Sequence, residues 1–326
     1  MPSEVHTLDL GFRKTRYTIA SYLIPSSRGA VLVESGPGST IEGLKAELKP
    51  FQLGPADITD VFLTHIHLDH AGAAGWLARQ GARIHVHPNG APHLLDPEKL
   101  LHSAKRVYGD RMEELWGEFL PVPESHLVVT QPGATIEIDG LEFLALDTPG
   151  HADHHFAYLF EDICFCGDVG GVRLPGPDYL CVPAPPPEFH PGKWRDTLVK
   201  LRAVKFRRIA PTHFGIFEDV EKHLEMLERG LEDLSEFIER VMPGDPPTEE
   251  IKVQYQEWMG KRYASHGIDG QRLEAYEIAN PSWMSPSGIQ RYWRKHRMNQ
   301  RMAWPAEPDQ TPAIPDAGRC SGRHWS

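Results

Sequence analysis

The chain has 326 residues, with 34 Lys+Arg against 45 Asp+Glu, a formal net charge of −11 and 40% hydrophobic residues. That composition is globular, and the length suggests about two domains; no stretch reaches the ~18 apolar residues of a membrane span, and the acidic balance disfavours nucleic acid, whose binding rests on cationic contacts to phosphate. Four Cys are too few for a disulfide framework, whereas 18 His exceed half the Lys+Arg count and raise the expectation of a metal site. From the N-terminus, Met1–Gly11 is polar and does not read as a signal peptide, so the cytoplasm is the expected compartment. Arg16–Ile24 and Ala30–Glu34 are rich in β-branched and aromatic residues and read as strands. A turn at Ser35–Gly38 leads, through Ser39, to a helix over Ile41–Leu48. Asp60–Thr64 is a short apolar strand of the kind buried on both faces, followed by a helix over Ala73–Arg79 and a strand Arg83–His87.

Between Pro97 and Leu120 the pattern turns helical, broken at Gly109, and reads as an insertion that is either a lid or packing cover. Strands resume at Ser125–Thr130, Ala134–Ile138, Leu141–Leu146, His155–Phe160 and Ile163–Cys166, with Asp139-Gly140 as a hairpin signal. Pro183–Pro191 is a rigid, extended connector to a helix at Trp194–Val204 and a strand at Arg208–Pro211. Val220, Leu224, Leu227, Leu231, Leu234, Ile238 and Val241 then form an apolar stripe on one long helix ended by Met242-Pro243-Gly244. Shorter helices are expected at Glu249–Arg262, Gln271–Ile278 and Ser287–Arg297. Trp258, Trp283 and Trp293 would anchor them to the sheets, near the open edge of the sandwich. Residues 303–326 are Pro-rich and read as a disordered tail. The domain reading is therefore a catalytic unit over 1–217 with its insertion near 97–120, a helical region over 218–302, and the tail.

The chemistry concentrates in Phe62–Gly72, FLTHIHLDHAG. His65, His67, Asp69 and His70 cannot all face one way on a strand or helix, but they can converge from a loop at a strand's end. Imidazole and carboxylate donors suit zinc and similar divalent ions. Three further strand ends carry such groups: His151 in Asp147-Thr148-Pro149-Gly150-His151, Asp168 in Gly167-Asp168, and His213 in Pro211-Thr212-His213.

In this order the motifs THIHLDH, TPGH, GD and TH resemble the metallo-β-lactamase superfamily over roughly residues 16–216. The resemblance implies an α+β four-layer αββα sandwich with the metal site at one edge, here with a helical insertion and a C-terminal helical extension. It implies that His65, His67 and His151 bind one metal, that Asp69, His70 and His213 bind a second, and that Asp168 bridges them. Two divalent ions, zinc before iron or manganese, would then hold a hydroxide for attack on a small ester, thioester or lactone. Asp69 would orient that hydroxide. His67 stands where flavodiiron-type members carry Glu, and Asp168 where zinc β-lactamases typically carry Cys or a non-bridging residue. The glyoxalase II and lactonase-like group remains. The glutathione-contacting pattern of the former is not found, and the Tyr of the latter, three residues after the bridging Asp, is Gly171 here. Glu34 also replaces the family's usual Asp in the turn VESGPGST.

Alternative readings are a mononuclear iron dioxygenase of the persulfide type, a phosphodiesterase, and a non-catalytic metal-stabilised module. Arg173 is a candidate contact for a substrate anion, with a surface salt bridge as its other reading. His154 and His155 are candidate supports of the ligands. A small-molecule substrate is the expected partner, and homo-oligomerisation is left open.

Overall fold

The structure is a computed structural model and describes residues 4–298, so the tail expected at 303–326 lies outside the described residues. Strands β1 (His6–Asp9), β2 (Ala20–Ser26) and β3 (Gly29–Val33) come first, followed by helix α1 (Ile41–Leu48). Then come β4 (Ile58–Phe62), α2 (Leu68–Ala71), α3 (Ala74–Arg79), β5 (Arg83–Val86), α4 (Ala91–Leu95), α5 (Glu98–Tyr108), α6 (Met112–Trp116) and β6 (Leu127–Val129). The second half holds β7 (Thr135–Ile138), β8 (Leu141–Asp147), β9 (Phe156–Phe160), β10 (Ile163–Phe165), α7 (Pro191–Ala203) and β11 (Arg208–Ala210). Helices α8 (Val220–Val241), α9 (Thr248–Ser265), α10 (Gly270–Ala279) and α11 (Ser285–Tyr292) complete it.

The strands form two mixed sheets, in the orders β1-β2-β3-β4-β5-β6 and β11-β10-β9-β8-β7. Alternation along β2 and β3 builds the layers. Tyr22, Ile24, Val31 and Val33 face the second sheet and join Phe62, Phe143, Phe156 and Tyr158 in the inter-sheet core. Leu23, Ala30 and Leu32 point the other way and pack with Leu44 and Leu48 of α1 and Leu77 of α3. The period of two in side-chain direction thus gives one strand two cores. On the far side α7 and α8 pack together and α8 packs on β11, which closes the αββα arrangement. The stripe expected on α8 is buried at Leu224, Leu227, Leu231, Leu234 and Ile238.

Three local differences from the sequence reading have physical causes. The strand expected from Arg16 begins at Ala20, because Gly11, Arg13, Lys14 and Tyr17 take positive φ and curl residues 11–19 into a loop that delivers the Thr18 carbonyl to the site. β1 was not expected; it is only four residues long and pairs antiparallel with β2. α7 starts at Pro191, which serves as its first residue, and His190 Nδ1 accepts from the Lys193 N–H at 3.2 Å.

The C-terminal helices are not a separate body. Ile251, Tyr255, Met259, Tyr263, Tyr276, Ile289 and Trp293 belong to the same core as the sheets. Among the described residues no helix is long and apolar enough to cross a membrane.

Candidate metal centre

β3, β4 and β5 run parallel, as do β10 and β11, so their C-terminal ends gather at shared sheet edges. His65 and His67 lie in the loop after β4, and Asp69 and His70 in the single turn of α2. His151 follows β8, Asp168 follows β10 and His213 follows β11. The two sheets are tied together at this edge. The Phe156 N–H donates to the Thr64 carbonyl at 2.7 Å, and the Tyr22 hydroxyl donates to the Pro211 carbonyl at 2.6 Å. Gly167 has φ 49°, and a Cβ there would meet Thr64 Oγ1 at 2.4 Å, so the close approach of the Asp168 turn to the β4 loop requires glycine.

All seven residues come together. His67 Nδ1 is 3.0 Å from His65 Nε2 and 2.9 Å from His151 Nε2. Beside this triad, His213 Nε2 and His70 Nε2 lie 3.5 and 3.7 Å from Asp69 Oδ2. Asp168 stands between the groups. Its Oδ2 is 3.3 Å from His151 Nε2, and its Oδ1 is 3.2 Å from His70 Nε2 and 3.4 Å from His213 Nε2.

The surroundings decide where the lone pairs point. Glu34, fully buried and turned by φ 70°, accepts at Oε1 from the hydroxyls of Thr64 and Thr212 and from His70 Nδ1 at 2.9 Å. Its Oε2 accepts from the Thr64 N–H. With its only hydroxyl proton given to Glu34, Thr64 Oγ1 is left to accept from His65 Nδ1–H at 3.1 Å, which leaves His65 Nε2 unprotonated toward the centre. His213 Nδ1 likewise donates to the Thr18 carbonyl at 2.6 Å. Glu34 therefore fills the supporting position despite its extra methylene.

The charge balance fits a cation. Burial holds His65 and His67 below the ordinary histidine pKa and takes His151 down to about 3, so the triad offers neutral nitrogens. Burial also opposes charge on His70 and His213, but Asp168 and Asp69 outweigh it and raise both. In the metal-free protein these protons neutralise the paired carboxylates. His70 Nε2 and Asp168 Oδ1 are buried, face each other and form no hydrogen bond with any group, as donors aimed at a common third centre would. The donor set of imidazoles and carboxylates thus fits divalent metal ions.

A cavity of about 300 Å³ opens onto His67, Asp69, His151 and Asp168. Leu100, Ala104, Val107 and Tyr108 of α5 form one wall; the connector prolines 183 and 185–187 and the α10–α11 junction at Asn280 and Met284 form the others. The Tyr108 hydroxyl donates to Met284 Sδ at 3.2 Å, and this pair also borders a smaller void of about 70 Å³ beside His213 and Trp283. Both helical additions therefore border the site.

Arg173 does not border this cavity. It is 6% exposed, paired through Nη1 and Nη2 with Asp219 at 2.7 and 2.6 Å, and stacked over Phe217. Its guanidinium is thus committed to a salt bridge at the start of α8, between a buried arginine and an exposed carboxylate, in keeping with the salt-bridge reading. His155 Nδ1 contacts Thr148 Oγ1 at 2.8 Å, and His154 Nε2 lies 3.5 Å from Glu188. Cys164, Cys166 and Cys181 are free, buried thiols. Sequence reasoning passed over Tyr108, Asn280 and Met284, which carry no motif, and also the threonines. The repeated Thr-His at 64–65 and 212–213 was the legible signal of the shared acceptor.

The chain belongs to the metallo-β-lactamase superfamily: residues 15–213 match that family's domain. Members of this fold generally bind divalent metals, and the His-rich groups here could do so. Among curated relatives, the chain is 25% identical over 173 residues to a metallo-β-lactamase fold-containing protein of Sulfurisphaera tokodaii, covering 51% of this chain and 65% of that one. It is 29% identical over 143 residues to a hydroxyacylglutathione hydrolase of Shewanella halifaxensis (44% and 43%) and 25% identical over 213 residues to an atrochrysone carboxyl ACP thioesterase of Aspergillus fumigatus (63% and 53%). The matches span less than two thirds of the length of each of these relatives. Of solved structures, a metallo-β-lactamase family protein from Thermus thermophilus superposes with TM-score 0.58 at 20% identity, covering 89% of this chain and 93% of that one. That likeness shows the fold.

Replacing Glu34 by Gln is expected to lower metal affinity about 10- to 100-fold, because the amide cannot accept from all four donors at once. Each orphaned buried donor costs roughly 1–3 kcal/mol. Competition against a chromophoric chelator measures the affinity. Unchanged affinity would mean that the Glu34 network supports the fold alone.

Proposed function

We propose that the protein is a dinuclear metal-dependent hydrolase of a small ester, thioester or lactone. His65, His67 and His151 would hold one ion, Asp69, His70 and His213 the other, and Asp168 would be shared. The observation that carries this reading is the division of Asp168, with Oδ2 toward the triad and Oδ1 toward His70 and His213. Zinc suits the donor set best. When bound, such ions supply a nucleophilic water at neutral pH and polarise the scissile carbonyl.

The chain's own residues do the rest. Asp69, partly exposed at the cavity floor, accepts a hydrogen bond from the attacking water and orients it. Burial and the nearby charge of Asp69 raise the pKa of Tyr108, so its phenol stays protonated and can turn its hydroxyl from Met284 toward a substrate oxygen. Apolar side chains of α5 and the connector prolines exclude bulk water from the reacting bond. The hydrolase and thioesterase names of two relatives support the reaction class.

Elemental analysis together with a screen of thioesters, lactones, esters and phosphodiesters tests the reading. About two zinc-like ions per chain and turnover of a carbonyl ester or thioester are expected. Prolonged chelation is expected to abolish that turnover, with recovery on adding the metal back. One iron per chain with oxygen consumption on a persulfide would instead establish the dioxygenase reading, and turnover confined to phosphodiesters would replace the bond class.

A further inference from the structure

The cavity has a charge pattern that hydrolysis of a neutral ester does not call for. Its acidic side chains are Asp69 and Asp168, both at the candidate metal centre. Its cationic side chains are Arg106 of α5 and Arg291 of α11. Between these lie Leu100, Ala104, Val107, Met284 and the prolines.

Neither arginine is spent on a carboxylate, whereas several others in the chain are. Arg173, Arg202, Arg208, Arg262, Arg294 and Arg297 each pair with a carboxylate. Arg106 and Arg291 have no acidic partner among the described residues, in a chain of net charge −11. Arg291 is nonetheless held in place, since its Nε donates to the Pro187 carbonyl at 3.0 Å, which leaves its terminal nitrogens unspent. A guanidinium anchored through Nε presents a planar pair of donors suited to a carboxylate or phosphate. The two come from the helical insertion and the C-terminal extension, so the cationic wall is made by these additions rather than by the sandwich.

Resting on the hydrolase reading above, we propose that the substrate is amphipathic and anionic. Its scissile carbonyl lies at the metal centre, an apolar stretch packs along α5 and the prolines, and a carboxylate or phosphate at its far end is received by Arg106 and Arg291. The reaction is ordinary hydrolysis: water adds to the carbonyl, the bond to the leaving sulfur or oxygen breaks, and the leaving group takes up a proton. The anion takes no part in that step and contributes to substrate recognition.

The test uses the metal-loaded full chain and matched probes. With charge on the leaving arm, these are the hexanoyl thioesters of 3-mercaptopropionate, of 2-mercaptoethyl phosphate and of the neutral 3-mercaptopropionamide. With charge on the acyl arm, they are the ethanethiol monothioester of adipate and its methyl ester. On one arm the charged probe is expected to show kcat/KM at least ~10-fold above its neutral partner, chiefly through KM, as a charge-assisted hydrogen bond would give. The larger of the carboxylate and phosphate effects identifies the anion. In the Arg106→Gln/Arg291→Gln double variant that ratio is expected to fall to within about twofold. Equal kcat/KM for charged and neutral probes on both arms, or a ratio that persists in the double variant, overturns the proposal. If no probe is turned over, the hydrolase reading fails separately. The anion site is then judged by calorimetry with S-hexyl-3-mercaptopropionate and its amide. Tighter binding of the acid by ~10-fold, lost in the double variant, upholds it, and equal binding overturns it.

Discussion

Asp168→Ala is expected to cost at least one metal ion per chain and at least ~10² in hydrolysis rate. The reason is geometric. Asp168 is the carboxylate that stands between the two groups of candidate ligands, with one oxygen toward His151 and the other toward His70 and His213. Removing the carboxylate withdraws a candidate ligand from each group and the negative charge that helps raise the pKa of His70 and His213. Those imidazoles then give up protons more easily and keep Asp69 as their remaining shared carboxylate. Asp168→Asn is the matched control, because it keeps the volume and removes the charge. Metal content by elemental analysis and kcat/KM on any accepted substrate decide the matter. Two ions and full activity in the alanine variant would show that Asp168 does not bridge.

Truncation after Met242 is expected to abolish folding rather than trim specificity. The removed segment contributes Tyr255, Tyr263, Tyr276, Ile289 and Trp293 to the hydrophobic core that also holds the residues of the second sheet. At roughly 2–3 kcal/mol for each large side chain fully buried, five such losses amount to about 10–15 kcal/mol, comparable with a usual total stability of ~5–15 kcal/mol. The Tyr276 hydroxyl also donates to the Tyr179 carbonyl and accepts from the Leu174 N–H, each at 3.2 Å, so its loss leaves these two backbone groups without that partner. Circular dichroism and recovery in the soluble fraction measure the outcome. A soluble, cooperatively melting fragment that retains its metals would show that the helices are an appendage.

Most of the architecture was legible because it depends on local periodicity. The long helix over Val220–Val241 announced itself by its stripe, and Ile41–Leu48 by the turn before it, although Ser39, the expected N-cap, instead donates its hydroxyl to the Leu115 carbonyl and Thr40 precedes the helix without a side-chain cap. The candidate ligands were legible for a related reason: chemistry at strand ends leaves short, dense motifs, and His65, His67, Asp69 and His70 fall within six residues. What stayed hidden depends on contacts across the fold. No local pattern marks Tyr108 and Met284, which are 176 positions apart and meet over the cavity. Arg16–Ile19, the end of the loop at residues 11–19, reads as strand because its composition suits one, while the demand for a carbonyl at His213 is tertiary. Arg173 could not be placed either way until Asp219, 46 positions on, was seen beside it.

The three buried thiols have a practical consequence. Cys164 and Cys166 lie on and just beyond β10, which is paired on both sides by β9 and β11. Burial pushes the thiols of Cys164 and Cys181 up to about 12 and raises that of Cys166 as well. An alkylating reagent needs both access and thiolate, and the native sheet withholds both. Labelling at these positions therefore proceeds only through molecules whose second sheet has come apart. Its rate, followed peptide by peptide under native conditions, is a clock for that opening. Run with and without metal, the same clock reads how strongly ligation at the sheet edge holds the two halves of the sandwich closed.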